Sequence, residues 1–268
     1  VERQGTDNPV LCSPHPGGGD LKAELMDGLR IAWVTRSFLD YRIPVFKALD
    51  QQCGGGLHLF YSADYVPERV QKGVRDLLGS RAHGLRGEWR LGREDRQFMA
   101  NRNLSLRLQP GLGAALHQCA PDVMVCDGFA KWTVHGLVER RRHKTPLVIA
   151  YEKTPHTERR AQWARRWYRR FVVRHTDAMA CNGSLCAEYV TSLGMPAERI
   201  TTGQMAADTA AFFASAAAVT PPEIEAFRHR HAVEGLLYLQ VGRLASLKGC
   251  RELIEAWARF DRHQGAAT

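Results

Sequence analysis

The chain has 268 residues, of which 44% are hydrophobic and 24% charged. Those values exclude a collagen, a coiled coil and wholesale disorder, and no window approaches the ~18 consecutive apolar residues of a membrane-spanning helix. Lys and Arg total 37 against 28 Asp and Glu, a formal charge of +9, which suits phosphate-bearing small molecules, nucleic acid or an anionic membrane surface without choosing among them. At roughly 100–200 residues per domain, the length predicts one large domain or two small ones. The first residue is Val1 and nothing beside it reads as a signal peptide, so the chain reads as a piece of a longer one. The seven cysteines, Cys12, Cys53, Cys119, Cys126, Cys181, Cys186 and Cys250, form no C-x-x-C pair. They are expected as buried, reduced thiols of a cytosolic protein, and their spacing supports no zinc site.

Residues 1–27 carry Pro9, Pro14, Pro16 and the run Gly17–Gly19 and read as a flexible N-terminal extension. From Arg30 onward, short apolar runs are expected as strands at Ile31–Thr35, Leu57–Ser62, Asp122–Cys126, Pro146–Tyr151, Ala178–Cys181 and Leu236–Val241. Several are apolar at successive positions, the pattern of parallel strands covered on both faces. Between them lie helical patterns at Val45–Gln52, Asn103–Cys119 with Pro110 and Gly111 interrupting, Phe129–Arg142, Thr157–His175, Ser184–Leu193, Pro222–His231 and Gly249–His263. Strand and helix in alternation predict a doubly wound, mostly parallel, Rossmann-like α/β sheet. Residues 63–102 are expected as an irregular or partly helical excursion. An Ala-rich stretch, Ala206–Ala218, and Pro221–Pro222 predict a connector. The boundaries that follow are an extension over 1–27, a Rossmann-like domain over 28–215, and a linker with the opening strand–helix unit of a second Rossmann-like domain over 216–268. One strand and one helix are too little to bury a core of their own.

The segment from Leu236 to Phe260 runs an apolar strand into Gly242-Arg243, then reaches Lys248-Gly249 and a helix with Leu253, Ile254, Trp257 and Phe260 on one side. Gly242 permits a sharp turn at a strand's carboxyl end, where open α/β sheets bind ligands. Arg243 can make two parallel hydrogen bonds to a phosphate and Lys248 adds a point charge. The following helix N-terminus offers further N–H donors. A diphosphate fits this set. On spacing alone, a strand–turn–helix with two solvated cations fits equally well.

This segment resembles the start of the donor-binding domain in retaining glycosyltransferases of the family-4 type, which have the GT-B fold. The matching residues are Gly242, Arg243, Lys248, Gly249, Ala256 and Trp257. Upstream, Tyr41-Arg42-Ile43-Pro44-Val45-Phe46 looks like the segment after the first strand of the acceptor-side domain. Ser192 to Ile200 looks like the family's segment before a short strand, and Asp208 stands where an Asp is common near the linker. The resemblance covers about 30–268. It implies transfer of a sugar from a nucleotide-sugar to a polysaccharide, glycolipid or other acceptor, without a metal or other cofactor, with the diphosphate held by Arg243 and Lys248. It also implies retention of anomeric configuration and a role in cell-envelope polysaccharide synthesis. Two features depart from the family. Thr35-Arg36-Ser37-Phe38 replaces a common Gly-Gly loop, and the family's paired glutamates lie beyond the last residue, so the chain as given is expected to lack most of its donor site.

The family's usual strand-end His corresponds to about Glu152 here, with His156 four residues on. Either could orient an acceptor hydroxyl or stabilise positive charge developing on the sugar. Equally, Glu152 could pair with a neighbouring Arg, and His156 could be a turn residue. Asp127, followed by Gly128, ends another strand, where it could line the acceptor cleft or cap a helix. Arg36 and Asp127 are the acceptor-side cleft candidates. Seven Arg stand in Thr157–Thr176, interleaved with Trp163, Trp167, Tyr168 and Phe171. As one helix, this places Trp163, Ala164, Trp167, Tyr168 and Phe171 on one arc and Arg165, Arg166 and Arg169 opposite. Such a helix either packs its aromatics on the sheet and solvates its arginines, or meets an anionic lipid surface. The location expected is cytoplasmic, peripheral to the inner membrane face. No nucleic-acid-binding motif is visible, so no nucleic-acid partner is expected. Two other readings stay open, a non-catalytic phosphate or nucleotide binder and a basic membrane-surface module on the same fold.

Overall fold

A computed structural model describes residues 26–91, 106–129, 132–159, 161–203, 206–242, 244 and 248–265. The chain divides into two units, Val1–Asp208 and Thr209–Thr268. In the first, the elements follow one another as β1 (Ile31–Val34), α1 (Ile43–Gln52), β2 (Leu57–Ser62), α2 (Glu68–Leu78) and β3 (Ala82–Leu85). A short antiparallel ribbon of β4 (Trp89–Leu91) and β5 (Leu106–Leu108) comes next. Then come α3 (Leu112–Cys119), β6 (Val123–Asp127), α4 (Thr133–His143), β7 (Leu147–Tyr151), α5 (Pro155–Glu158), α6 (Trp163–Arg174), β8 (Ala178–Cys181), α7 (Ser184–Ser192) and β9 (Ile200–Thr202).

Seven strands form one sheet in the order β3-β2-β1-β6-β7-β8-β9, and every pair is parallel. Parallel strands need crossovers, and the helices supply them, covering both faces. Alternate residues of β1 accordingly serve two cores. Ile31 and Trp33 pack with Phe46, Val70, Val74 and Leu78 from α1 and α2. Ala32 and Val34 pack with Leu112, Leu116 and Trp132 on the other side. A third cluster joins Ile149, Met179 and Cys181 to Val172, Val173 and Val190 of α6 and α7. Gly136 sets how closely α4 approaches the sheet. A Cβ there would stand 2.8 Å from Cys126 Sγ and 3.3 Å from Leu147 Cδ1. Asp177 pins the same region, taking Arg140 in a two-point ion pair (2.7 and 2.6 Å) and accepting the Leu147 N–H at 2.8 Å.

The 63–102 excursion is partly helical as expected, through α2, and adds the edge strand β3 and the ribbon strand β4, while 92–105 lie outside the described residues. Two expectations change. The helix expected over Asn103–Cys119 begins only at Leu112, because Pro110 and Gly111 (φ +81°) break the pattern and Leu106–Leu108 pair as β5 instead. Thr157–His175 is two helices. Thr154 caps α5, with its Oγ1 accepting the Thr157 N–H, and Gln162 is extended before α6 begins.

The second unit holds α8 (Thr209–Ala217), α9 (Pro221–Arg230) and α10 (Cys250–Gly265). Thr220 and Glu223 cap α9 reciprocally, the Thr220 N–H and hydroxyl donating to Glu223 Oε2 at 2.8 and 2.7 Å. The strand expected at Leu236–Val241 is not formed. A strand exists only as half of a ladder, and no described residue of this unit is a strand partner. The segment is open, with Leu236 85% and Val241 86% exposed. Tyr238 alone finds a ring, packing against Trp257 of α10 at 4.9 Å. Residues 1–25 and Arg243 lie outside the described residues.

Candidate functional site

The strand order reverses between β1 and β6, and ligands of open α/β sheets bind at the carboxyl ends beside such a reversal. Here those ends bring together Trp33, Thr35, Arg42, Asp127 and Glu152. Trp33 Nε1 donates to Asp127 Oδ1 at 3.2 Å and Arg42 Nη2 to Oδ2 at 3.3 Å. Burial pushes the Asp127 carboxyl up, Arg42, Thr35 and Trp33 pull it back, and the charge of Glu152 pushes it up again. Asp127 and Glu152 are therefore electrostatic neighbours, one largely enclosed and one exposed. Gly128 (φ +76°) turns the chain out of β6, and its carbonyl accepts from Thr133 Oγ1 at 2.7 Å at the start of α4.

Arg42 is the residue that spacing did not single out, although it stands in the Tyr41–Phe46 segment. Its side chain is mostly enclosed beside Trp33, and its buried Nη1 meets no acceptor among the described residues. An unpartnered buried donor costs about 1–3 kcal/mol, more when charged, so a ligand oxygen would be well placed on it. The sequence signal was an arginine just ahead of a Pro-started helix, in the connection that follows β1.

The other candidates fall in different settings. Arg36 is committed to a buried network. Its Nε donates to Glu88 (2.7 Å), which also accepts from Arg107 (2.8 Å) and Trp132 Nε1 (2.9 Å), while its guanidinium stacks 3.5 Å from the Tyr65 ring. Burial alone would push Glu88 up, but these donors outweigh it and hold the carboxyl below its ordinary range. The sequence thus placed Arg36 correctly at the end of β1, and the structure gives it the task of tying that loop to the β4–β5 ribbon.

His156 is exposed on α5, its imidazole against the Arg159 guanidinium (3.0 Å). The end of β7 is instead anchored by Glu158, buried between Lys153 (3.3 Å) and Arg169 (2.7 Å), with Arg169 also donating to Tyr189 at 2.6 Å. Burial would raise Glu158, but Arg169 and Lys153 more than reverse it. Arg169 is thus the buried arginine of α6. Three aromatics take the outside, with Trp163 82% and Trp167 66% exposed and Phe171 beside them, while Tyr168 packs against the core. Of the two packings open for that helix, the structure keeps Trp163, Trp167 and Phe171 off the sheet, because Val172, Val173 and the Glu158–Arg169 pair fill the sheet-facing side.

In the second unit Gly242 and Lys248 are exposed. Gly242 has no positive φ, so no glycine-only turn forms there, whereas Gly249 (φ +68°) does enter α10 through the left-handed region. Among the described residues, no helix is long and apolar enough to cross a membrane.

The glycosyl transferase 4-like domain matches residues 57–203, more than half of the chain and nearly all of the seven-stranded sheet. No curated protein matches the sequence. A crystal structure of HepE from Anabaena in complex with UDP and glucose aligns with a TM-score of 0.59 and 16% identity, covering 86% of this chain and 58% of that one. A second HepE structure, in complex with UDP-glucose, gives 0.57 and 15%, covering 86% and 57%. At this identity the likeness is one of fold, and the chain spans little more than half the length of the HepE chain. The residues, the sheet order and the match over 57–203 together place this chain in the glycosyl transferase 4-like domain family.

Proposed function

We propose that this chain forms the acceptor side, and the start of the donor side, of an enzyme that moves a sugar from a nucleotide-sugar to an acceptor hydroxyl. One observation carries the reading. On a family-4-like sheet, the strand reversal holds a half-buried carboxylate, Asp127, beside an arginine with an unpartnered buried donor. Arg42 and Asp127 would hold an acceptor hydroxyl. Glu152, close enough to act on the Asp127 charge, would take up its proton or stabilise positive charge on the sugar. His156 serves that role only if it leaves Arg159.

On the donor side, Gly242 and Gly249 would let the backbone approach a diphosphate, Arg243 and Lys248 would neutralise it, and the α10 N-terminus would add N–H donors. Two cations on the leaving diphosphate make a metal unnecessary for this step. Residues 28–215 would serve the acceptor and 216–268 would open the donor half. The acceptor would be a polysaccharide, a glycolipid or another lipid-linked sugar of the cell envelope. The outer face of α6 supports a lipid-linked one. Trp163, Trp167 and Phe171 are exposed together with Arg166, Arg170 and Arg174, and α6 contains no acidic residue. Exposed aromatics among arginines suit the headgroup region of an anionic bilayer on the cytoplasmic side.

The test is binding of UDP and UDP-sugars to the complete gene product by calorimetry, with Arg243→Ala and Lys248→Ala as variants. Each substitution is expected to weaken UDP at least about tenfold, since each removes a charge-assisted phosphate contact. Equal affinity in wild type and the double variant would remove the donor assignment.

A further inference from the structure

The end of the sheet away from the Asp127 cluster carries a second group of residues. His117 stands in the last turn of α3, and Glu139 and His143 stand one turn apart near the end of α4. Positions i and i+4 share one helix face, so Glu139 and His143 point the same way, and α3 brings His117 to them. His117 Nδ1 lies 3.9 Å and His143 Nε2 3.7 Å from the same carboxylate oxygen, Glu139 Oε1. The two imidazole rings are 4.6 Å apart, and all three ligand atoms lie within 4.8 Å of one another.

The carboxylate makes this more than a surface cluster. The Glu139 side chain is only 6% exposed, and no hydrogen bond reaches it among the described residues. Buried carboxylates are normally paired or hydrogen-bonded. An imidazolium pairing directly with it would stand about 2.7–2.9 Å away, and both nitrogens stand well beyond that. A tetrahedral ion with bonds of roughly 2.0–2.2 Å keeps its ligand atoms about 3.3–3.5 Å apart, so small rotations of three side chains would complete the set. Two imidazoles and one carboxylate favour zinc, copper or nickel over magnesium or calcium. The two histidines are exposed, His117 by 66% and His143 by 41%, which gives an ion a path and leaves a fourth position for water.

We propose that His117, Glu139 and His143 bind a zinc-class divalent ion that clamps α3 to α4. The site is independent of glycosyl transfer, and its ligands come from two crossovers of the sheet. The experiment uses the full chain without a histidine tag, stripped with EDTA and titrated with Zn²⁺ alone by calorimetry and with Co²⁺ by visible absorption. Wild type is expected to show one saturable site, a tetrahedral Co²⁺ spectrum and a higher melting temperature with Zn²⁺. His117→Ala, His143→Ala and Glu139→Gln should each weaken binding at least about tenfold, since even residues that only support metal ligands cost 10–100-fold. Circular dichroism and melting in EDTA establish that the variants fold. Absence of saturable binding to wild type, or unchanged binding in a folded His117→Ala/His143→Ala double variant, would overturn the proposal.

Discussion

The segments Leu57–Ser62 and Leu236–Val241 are both short, mostly apolar runs, and they meet opposite fates. The first becomes β2, paired with β1 and β3 and almost wholly buried. The second forms no ladder and leaves Leu236, Leu239 and Val241 to solvent. A run of apolar residues specifies a capacity for strand formation, and neighbouring strands realise it. In the first unit each strand has its ladder, and the central strands send side chains into cores on two faces. The second unit offers α8, α9 and α10 with one run of potential strand, and its helices α8 and α9 bury no residue.

That contrast can be broken at several points. Glu158→Ala would leave the buried Arg169 with Tyr189 but without a carboxylate, and loss of one partner of a buried ion pair costs about 3–5 kcal/mol. Chemical denaturation of the first unit should show it. Leu147→Ala should cost about 2–5 kcal/mol by opening a cavity in a fully buried position. Gly136→Val should cost about 1–3 kcal/mol, because the new side chain meets Cys126 and Leu147. Leu239→Ala, at an exposed position of the second unit, should fall within about 0.5 kcal/mol. If Leu239→Ala proved as costly as Leu147→Ala, the apolar run would be packed in solution and the contrast would fail.

Acid sharpens the same comparison. Burial holds His58, His83 and His135 below the ordinary 6.5, so the unfolded chain takes up protons first as pH falls. Glu88, Glu158 and Asp177 are held below their ordinary values, so the stability they lend is present above about pH 4.5 and is lost as pH drops through the lowered values. Both sets act in the same direction. The melting temperature of the first unit should be highest near neutrality, decline below pH 6.5, fall more steeply below pH 4.5, and decline again in alkali, where burial keeps Cys119 and Tyr168 from the ionisation open to the unfolded chain. A melting temperature that rose on acidification below neutrality would contradict these signs.

Much of the sheet was legible in the sequence, because strands buried on both faces are continuous apolar runs and the helices between them are periodic. The strand β3 was not, since Ala82-His83-Gly84-Leu85 at the sheet edge has neither a run nor an alternation. The face of α6 stayed open between two packings, because aromatic periodicity alone does not say which side meets the sheet. Glu158 supplies a buried partner for Arg169, and that frees the tryptophans to face outward. At the candidate site Asp127 and Glu152 were legible as strand-end carboxylates. Arg42 was not, because its importance lies in a donor left without an acceptor, which no spacing reveals. Glu139 escaped for a similar reason, since its partner histidines sit on two helices.

Under the proposed function, Asp127, held by Arg42 and Trp33 at the strand reversal, would serve the acceptor. The direct measurement is acceptor-dependent nucleotide release by the complete gene product, wild type against Asp127→Asn, over a panel of UDP-sugars and lipid-linked or soluble sugar acceptors. Loss of the charge is expected to lower kcat/KM for the acceptor by about 10²-fold or more and to leave the donor KM near its wild-type value. Wild-type turnover in a folded Asp127→Asn variant, or a defect confined to the donor KM, would contradict it.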